Sequence, residues 1–329
     1  MKIIAGDIGG TSTRLAWFEV AGDALQKRAE ERFPSAEYSG LEAIVRKFLE
    51  NHGATCERAC FGISGPIKRR RTEVTNLPWV IDAAELEAGL GIERVSLVND
   101  LEANAYGIAS LGKEDFLVLN EGSSDPAGNG AIISAGTGLG EAGLIRDGRR
   151  FRSFPSEGGH ASFAPTSELE VALLVFLRQK FGHVSWERVL SGPGLVNLYT
   201  FLREQESSPE PAWLSEQMKE GDPASAITGA ALDEKCAVCV KVLDLFVRLY
   251  GAEAGNLGLK MMATGGVFVG GGIAPRIRNR LQTGEFLDAF ADKGRMGELL
   301  QGMPVKVILN DKTALLGAAL YAAFVDAPA

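Results

Sequence analysis

The chain has 329 residues, of which 46% are hydrophobic and 23% are charged, a composition typical of folded globular proteins. Its net charge of −8, from 34 basic and 42 acidic residues, argues against nucleic acid or an anionic membrane surface as the main partner. The sequence has no apolar run of about 18 residues and begins with a strand pattern, so we expect neither a membrane span nor a signal peptide.

The four cysteines favour a reducing compartment over a disulfide framework. Cys236-x-x-Cys239 has the spacing of a redox pair or of half a zinc site, but it lies within a helical apolar pattern and the sequence has no second such pair. Cys56 and Cys60 lie in a different pattern. We therefore expect buried thiols without disulfide bonds, and a cytoplasmic location.

The first predicted elements form a hairpin with a glycine-rich tip. Residues 2–5 and 13–18 have strand patterns, and Gly6-Asp7-Ile8-Gly9-Gly10-Thr11 joins them. Glycines allow backbone N–H groups to converge on an anion such as a phosphate, although an ordinary tight hairpin also uses them. The pattern is neither a Walker loop, which ends in Gly-Lys-Ser/Thr, nor a dinucleotide fingerprint, which leads into a helix. Asp7 could hold a metal ion through water.

Strands and helices alternate over the next stretch, which indicates α/β layering. The basic run Lys68-Arg69-Arg70-Arg71 predicts a solvated turn tip between strands, with a phosphate-facing role as the alternative. The other predicted elements are a helix over 40–52, a strand from Cys60 that ends in the turn Ser64-Gly65-Pro66, a loop over 75–79 and a helix over 83–90.

A short buried strand over 95–98 ends at Asn99 and Asp100, and a helical pattern starts at Leu101. A carboxylate at the carboxyl end of an α/β strand lies at the mouth of the crevice where such sheets bind ligands. There it could take a proton from a substrate hydroxyl. The alternative is that Asp100 is simply the N-cap of the helix, since Asp is a favoured cap.

The second half repeats the opening theme. A strand over 116–119 precedes Gly130 to Gly140, in which an apolar strand runs into Ala135-Gly136-Thr137-Gly138, and another strand leaves over 141–145. This segment faintly resembles residues 3–18 and so predicts a second phosphate-binding hairpin. Each domain would then have one such hairpin, and the two would face each other across a cleft.

Two polar loops contribute further carboxylates. Residues 153–160 form a glycine-rich loop in which Glu157 and His160 could bind a metal ion, bind adjacent hydroxyls of a sugar, or simply be solvated. Glu187 lies in the turn Trp186 to Gly194. The remaining predictions are a capped helix over 167–181, a helix over 195–203, a surface excursion over 204–222, a long helix over 230–257, a pair of strands within 261–273, a strand over 305–309 and a helix over 315–324.

Taken in order, six of these stretches resemble the bacterial glucokinase family, within the actin-like hexokinase and heat-shock ATPase superfamily. Ser64, Ser156 and Ser162 depart from the family pattern; none is expected to contact a residue assigned to the chemistry, although Ser156 could shift the geometry of its loop. The matching stretches are Gly6-Asp7-Ile8-Gly9-Gly10-Thr11, Leu97-Val98-Asn99-Asp100, Ala135-Gly136-Thr137-Gly138-Leu139-Gly140, Glu157-Gly158-Gly159-His160, Glu187 to Gly194 and Gly265-Gly266-Val267-Phe268.

This resemblance implies transfer of the ATP γ-phosphoryl group to the 6-hydroxyl of glucose, with Asp100 as general base. Asn99, Glu157, His160, Glu187 and Gly138 would bind the sugar. The nucleotide would lie against Gly6, Asp7, Ile8, Gly9, Gly10, Thr11, Gly136, Thr137, Gly265 and Gly266, with Mg²⁺ held by Asp7 through water. These roles agree with the chemistry of the residues, because phosphoryl transfer needs mainly positioning and charge neutralisation.

The resemblance also implies an α/β, two-domain actin-like ATPase fold of the ribonuclease H-like type with an interdomain cleft. The smaller domain would take residues 1–110 and 301–329, and the larger 111–300; a homodimer is implied as well. Three alternatives remain open: a kinase of another hexose, a non-enzymatic sugar sensor or regulator, and a chaperone-type ATPase. The sensor is disfavoured because no helix-turn-helix segment or basic face is recognised, and the ATPase because no peptide-binding domain is. ADP or polyphosphate could replace ATP as the donor.

Overall fold

The computed structural model describes residues 1–22, 24–74, 77–148 and 150–325. The strands are β1 (Lys2–Ile8), β2 (Ser12–Ala21), β3 (Ala24–Pro34), β4 (Arg58–Ile63), β5 (Arg71–Glu73), β6 (Val80–Asp82), β7 (Arg94–Asn99), β8 (Phe116–Asn120), β9 (Gly130–Ala135), β10 (Leu139–Asp147), β11 (Arg150–Ser156), β12 (Gly266–Gly270) and β13 (Val305–Ile308). The helices are α1 (Leu41–His52), α2 (Ala83–Leu90), α3 (Asp100–Gly107), α4 (Glu168–Phe181), α5 (Gly192–Gln205), α6 (Ala212–Glu220), α7 (Pro223–Leu232), α8 (Ala237–Met261), α9 (Arg278–Leu281), α10 (Glu285–Ala291), α11 (Gly297–Gln301) and α12 (Thr313–Leu320).

These elements form two compact units. The first unit comprises Met1–Lys113, Arg149–Ser153 and Asn310–Ala329, and the second comprises Glu114–Gly148 and Phe154–Leu309. No helix in the described part of either unit has the length and apolar content to cross a membrane.

The first unit is built on a five-stranded sheet with the order β3-β2-β1-β4-β7. β1 pairs with β2 as an antiparallel hairpin and with β4 as a parallel neighbour, and β7 continues the parallel part. Apolar side chains of α1 and α2 pack on one face of the sheet, and those of α12 pack on the other. Covering both faces explains why β4 is apolar along nearly its whole length.

Close packing of α3 against α12 holds the start of α3 in place. A Cβ atom on Gly317 would overlap the backbone oxygen of Ala103, and one on Gly107 would overlap that of Thr313. Only glycine permits such an approach of two helix backbones. Because α3 begins at Asp100, the packing of α3 against α12 also restricts the position of Asp100.

The second unit has a six-stranded sheet with the order β11-β10-β9-β12-β13-β8. β9 and β10 form an antiparallel hairpin, and β9, β12 and β13 run parallel. The first five positions therefore repeat the arrangement of the first unit, and the predicted echo between the two hairpins is confirmed. The long helix α8 crosses this sheet, and the hydroxyl of its buried Tyr250 accepts the backbone N–H of Ala135 at 3.1 Å.

Several predicted elements differ from the structure. The strand β3 was not predicted, because ten of its eleven residues are exposed or half-buried and it has no apolar alternation. Residues 153–156, predicted as loop, form the end of β11, and residues 261–273 contain one strand rather than two. The last strand, β13, was predicted in the smaller domain but pairs with β12 and β8 in the second unit.

The region from 204 to 257 also differs. The predicted surface excursion contains α6, and the predicted continuous helix is divided between α7 and α8. Glu234 lies between them at φ 55°, a left-handed conformation that an α-helix cannot include. The four cysteines, all among the described residues, form no disulfide; three are buried and Cys56 is half-buried, close to the expectation. Thr75 and Asn76 of the predicted 75–79 loop lie outside the described residues.

Candidate active site

Asp100 lies at the junction between β7 and α3. The N-cap is Asn99, whose Oδ1 accepts the backbone N–H of Leu101 at 2.9 Å. The alternative that Asp100 is the N-cap is therefore wrong, and its side chain is available for another role. Oδ2 of Asp100 accepts a hydrogen bond from Ser64 Oγ at 2.7 Å, while Nδ2 of Asn99 donates to the backbone oxygen of Gly65 at 3.2 Å.

Of the three serines that depart from the family pattern, Ser64 contacts a residue assigned to the chemistry, contrary to expectation, and Ser156 acts on the loop geometry, as expected. Ser64 donates to the Asp100 carboxylate, as described. Ser156 Oγ accepts the backbone N–H of Gly158 at 2.9 Å, within the loop that carries Glu157. Each hydroxyl restricts a neighbouring functional group or loop, so the departures act on the site itself.

The glycine-rich segment of the first unit is divided between strand and turn. Gly6, Asp7 and Ile8 belong to β1, so the turn contains only residues 9–11. A Cβ atom on Gly6 would lie 2.6 Å from the Phe61 ring, which makes Gly6 a packing residue. Ser35 holds the turn: its Oγ donates to the oxygen of Gly9 at 2.8 Å and its N–H donates to the oxygen of Thr11 at 3.1 Å.

Asp7 is surrounded by charges. Burial and the nearby Asp100 carboxylate raise the pKa of Asp7 to about 6, while Arg14 and Arg32 act in the opposite direction. Arg14 lies directly across the hairpin from Asp7 and forms an ion pair of 2.8 Å with Asp311. The two arginines were not identified from the sequence, because only the pairing of the strands brings them beside Asp7.

In the second unit, the turn between β9 and β10 is joined to Glu187. Oε2 of Glu187 accepts the backbone N–H of Leu139 at 3.0 Å. A Cβ atom on Gly138 would lie 2.6 Å from the same oxygen, so a side chain there would displace the carboxylate from this position. The N–H of Gly192, at the start of α5, donates to the oxygen of Gly136 at 2.8 Å. The structure thus brings together Gly138 and Glu187, which the sequence placed almost fifty residues apart.

The loop with Glu157 and His160 lies against β10. A Cβ atom on Gly159 would overlap the backbone oxygen of Leu139, which places the loop beside the Gly138 turn. The Glu157 and His160 side chains are 84% and 62% exposed, with Oε2 and Nε2 4.0 Å apart. Both groups are open to a ligand, and their separation allows them to contact neighbouring hydroxyls.

A cavity of about 1070 Å³ opens next to the β9–β10 turn in the second unit. Gly136, Thr137, Gly192 and Gly272 contribute backbone to its wall, and Arg188 and Arg276 contribute positive charge. This volume is at the upper end for small-molecule pockets. Neither arginine was assigned a role from the sequence, although Arg188 belongs to the motif from Glu187 to Gly194, because an isolated arginine in a turn carries no pattern of its own.

Gly265 and Gly266 do not line this cavity. Gly266 pairs with Gly130 at the start of β9, whereas Gly136 follows the end of that strand. The N–H of Gly265 donates to the oxygen of Asn129 at 2.8 Å, and a Cβ atom there would overlap Gly128. These two glycines serve close backbone packing at the other end of β9 from the cavity, and their place beside the nucleotide stays a prediction.

Behind the Glu157 loop lies a buried carboxyl group that the sequence did not single out. Glu141 of β10 is 1% exposed, and its carboxyl contacts that of Glu253 on α8. Burial and the neighbouring carboxyl raise the pKa of Glu141 to about 8. In the described part of the chain, no three His, Cys, Asp or Glu side chains are placed to coordinate one metal ion.

Comparisons with known proteins agree with this arrangement. A family model described as glucokinase matches residues 4–324. A glucokinase of Nostoc punctiforme is 43% identical over 336 residues, covering 98% of each protein. A glucokinase of Yersinia enterocolitica is 39% identical over 319 residues, covering 97% of this chain and 95% of that protein. The crystal structure of a glucokinase from an Antarctic psychrotroph has a TM-score of 0.86 and 32% identity, and the match covers 98% of each chain.

The two repeated sheets and these matches define an α/β sugar kinase with the actin-like ATPase fold. The chain belongs to the glucokinase family, whose members are ATP-dependent sugar kinases.

Proposed function

We propose that the protein transfers the γ-phosphoryl group of ATP to the 6-hydroxyl of glucose, with Asp100 as the general base. The observation that carries this proposal is the half-buried Asp100 carboxylate, which is held by Ser64 and by the backbone N–H of Leu101, while Asn99 is the N-cap of the helix. A sugar hydroxyl is a poor acid, so a carboxylate that takes its proton as the O–P bond forms accelerates the reaction by about 10²–10⁴-fold.

The sugar is proposed to contact Asn99, Glu157, His160 and Glu187, with Gly138 giving access to the Glu187 carboxylate. Carboxylates accept hydrogen bonds from hydroxyls, and a neutral imidazole can donate or accept. The open side chains of Glu157 and His160 support this role. A site built of such groups discriminates among hexoses, because a missing hydroxyl leaves a polar partner unpaired.

The nucleotide is proposed to lie against the turn at residues 9–11, the backbone of the preceding β1 residues, and Gly136 and Thr137. The cavity beside Gly136, whose wall includes Gly272, supports this placement. Gly265 and Gly266 remain the proposed backbone contact of the adenine ring. Arg188 and Arg276 supply positive charge at its wall.

Mg²⁺ is proposed to be held by Asp7 through water. The residues fit this role, because Mg²⁺ keeps several waters and needs only one or two carboxylates besides the phosphates. Two carboxylates are near each other here, since Asp100 is close enough to Asp7 to raise its pKa. The ion would neutralise charge on the transferring phosphoryl group. Asp7 would orient the hydrated ion, and Asp100 would remain available for the proton.

We also propose that the enzyme acts in the cytoplasm, where its product enters glycolysis, and that it forms a homodimer. The absence of disulfides among the four cysteines supports a reducing compartment. Three exposed apolar side chains on α4, those of Leu169, Val171 and Val175, support burial of that helix against a second copy.

A coupled assay of the purified protein tests the proposed reaction. ATP, ADP and polyphosphate would each be offered with glucose, mannose, fructose and N-acetylglucosamine in the presence of Mg²⁺. We expect the highest kcat/KM for ATP with glucose. A clear preference for another hexose would indicate a different kinase of the same fold, and no consumption of any donor with any hexose would favour a sensor.

A further inference from the structure

A pair of buried carboxyl groups lies beneath the loop that carries Glu157 and His160, and the proposed reaction does not use it. Glu141 and Glu253 are 1% and 0% exposed and contact each other. Oε1 of Glu141 has no hydrogen-bond partner among the described residues. Two buried carboxyl groups in contact cannot both ionise without a large electrostatic cost, so they share one proton.

The neighbours of the pair decide which residue carries the proton. Oε1 of Glu253 accepts Lys260 Nζ at 3.3 Å, and its Oε2 accepts Asn256 Nδ2 at 2.7 Å. The ammonium group of Lys293 acts on Glu253 in the same sense. These donors favour ionised Glu253, although burial raises the pKa of this carboxyl as well. From α8, Glu141 faces Glu253, the Lys260 ammonium group and the Tyr250 hydroxyl. Because Glu253 accepts two side-chain hydrogen bonds whereas Oε1 of Glu141 accepts none from the described residues, we assign the shared proton to Glu141.

The backbone of the loop that carries Glu157 and His160 leaves no room for the Glu141 carboxyl to move outward. A Cβ atom on Gly158 would overlap Oε2 of Glu141, so the carboxyl lies directly against the loop. An ionised Glu141 beside ionised Glu253 would have to reach water. Since it is covered by Gly158, it could do so only by displacing the loop.

We propose that Glu141 is a positioning residue whose neutral carboxyl holds Gly158 against β10 and so orients Glu157 and His160 for the sugar. This inference rests on the proposed function only in stating that Glu157 and His160 bind a hexose. The role of Glu141 and Glu253 in keeping Gly158 in place does not depend on any substrate.

Loss of the proton gives the expected pH dependence. Because burial and Glu253 raise the pKa of Glu141 to about 8, the carboxyl loses its proton mainly between about pH 7 and pH 9. The folded state with an ordered loop should then become less populated, and KM for glucose should rise by up to about tenfold over this range.

Glu141→Gln tests the proposal, because glutamine keeps the shape of the neutral carboxyl and cannot ionise. Glu170→Gln is the matched control: Glu170 is also buried in the second unit, but it pairs with Arg248 at 3.3 Å and accepts the N–H of Thr166. We expect KM for glucose to rise between pH 7 and pH 9 in the wild type and in Glu170→Gln, and to stay within about twofold in Glu141→Gln. A parallel rise in Glu141→Gln, or no rise in the wild type, would overturn the proposal.

Hydrogen exchange of the backbone at residues 156–160, measured without ligand, separates this proposal from the proposed function. Wild-type protection at these residues should fall between pH 7 and pH 9, after correction for the intrinsic exchange rate, and protection in Glu141→Gln should not. If no hexose is phosphorylated at any pH, the proposed function fails, and exchange still decides the role of Glu141.

A second variant covers the case in which Glu141→Gln does not fold. Glu253→Gln removes the negative charge that opposes ionisation of Glu141, so an ionised Glu141 could stay beside Lys260 and protection at residues 156–160 should persist to pH 9. Loss of protection between pH 7 and pH 9, as in the wild type, would contradict the role assigned to the pair.

Discussion

Ser64 illustrates how one hydroxyl fixes the group on which the proposed reaction depends. Its Oγ donates to Oδ2 of Asp100 at 2.7 Å, and Oδ1 accepts the backbone N–H of Leu101 at 2.9 Å. A hydrogen bond to a charged group contributes about 1.5–3 kcal/mol. The two bonds together hold the carboxylate in one orientation before any substrate binds.

Removal of this hydroxyl should therefore affect turnover more than nucleotide binding. We expect Ser64→Ala to lower kcat about tenfold, which corresponds to about 1.4 kcal/mol of transition-state stabilisation, with KM for ATP nearly unchanged. Ser64→Thr keeps a hydroxyl at the same position and should recover most of the loss. Steady-state kinetics of both variants provide the measurement, and wild-type turnover in Ser64→Ala would show that Ser64 has no positioning role.

The sequence allowed functional residues to be located at the junction between a strand and the helix that follows it. Asn99 and Asp100 were found in this way, because a short apolar run followed by a helical pattern marks the strand end. Arg14 and Arg32 could not be found, since their position beside Asp7 depends on the register of two strand pairs. Glu141 was read as part of a strand, and nothing in the strand pattern indicates that its carboxyl is buried against one from α8.

Among the elements, the β9–β10 turn is closely packed against a residue of the proposed sugar site. Gly138 leaves just enough space for Glu187 Oε2, which accepts the N–H of Leu139. A side chain at position 138 would force the carboxylate to rotate and would break this bond. The position of the β9–β10 turn and that of the short helical segment with Glu187 therefore depend on each other.

Gly138→Ala tests this coupling. Because the new Cβ atom would lie 2.6 Å from the carboxylate oxygen, we expect KM for glucose to rise about tenfold or more, the cost of one hydrogen bond to a charged group. Gly40→Ala is the control, since a Cβ atom there meets no other atom within 4 Å. Both variants would be assayed with saturating ATP. An unchanged KM in Gly138→Ala would separate the turn from sugar binding.

Elements with clear apolar periodicity were predicted well, and those without it were missed. The helices α1 and α2 were predicted to within a residue because α1 follows an apolar spacing and α2 begins after the capping residue Asp82. The edge strand β3 was not, because its charged sequence gains its structure from pairing with β2. The break between α7 and α8 depends on the backbone conformation of Glu234, for which glutamate gives no signal.

At the scale of the whole molecule, two sheets share one strand order. The hairpins β1–β2 and β9–β10 occupy equivalent positions, and each is followed in its sheet by parallel strands. The sequence showed this only as a faint echo between two glycine-rich segments, because the repeat lies in topology and not in side chains. The family resemblance, carried by six ordered motifs, predicted the fold class where local patterns could not.

The overall charge of −8 is unfavourable for binding an anionic nucleotide, so local positive charge has to compensate. Arg14 and Arg32 provide it beside Asp7 in the first unit, and Arg188 and Arg276 provide it at the cavity of the second unit. The distribution of arginines thus agrees with a nucleotide substrate even though the molecule as a whole is acidic.

The most direct test of the proposed mechanism is the turnover number of Asp100→Asn with ATP and glucose, measured together with glucose affinity by calorimetry. Asparagine keeps the size of the side chain and removes its basicity. We expect kcat to fall at least about a hundredfold, while the glucose Kd stays within about threefold of the wild type. Turnover close to that of the wild type would contradict the assignment of Asp100 as the general base.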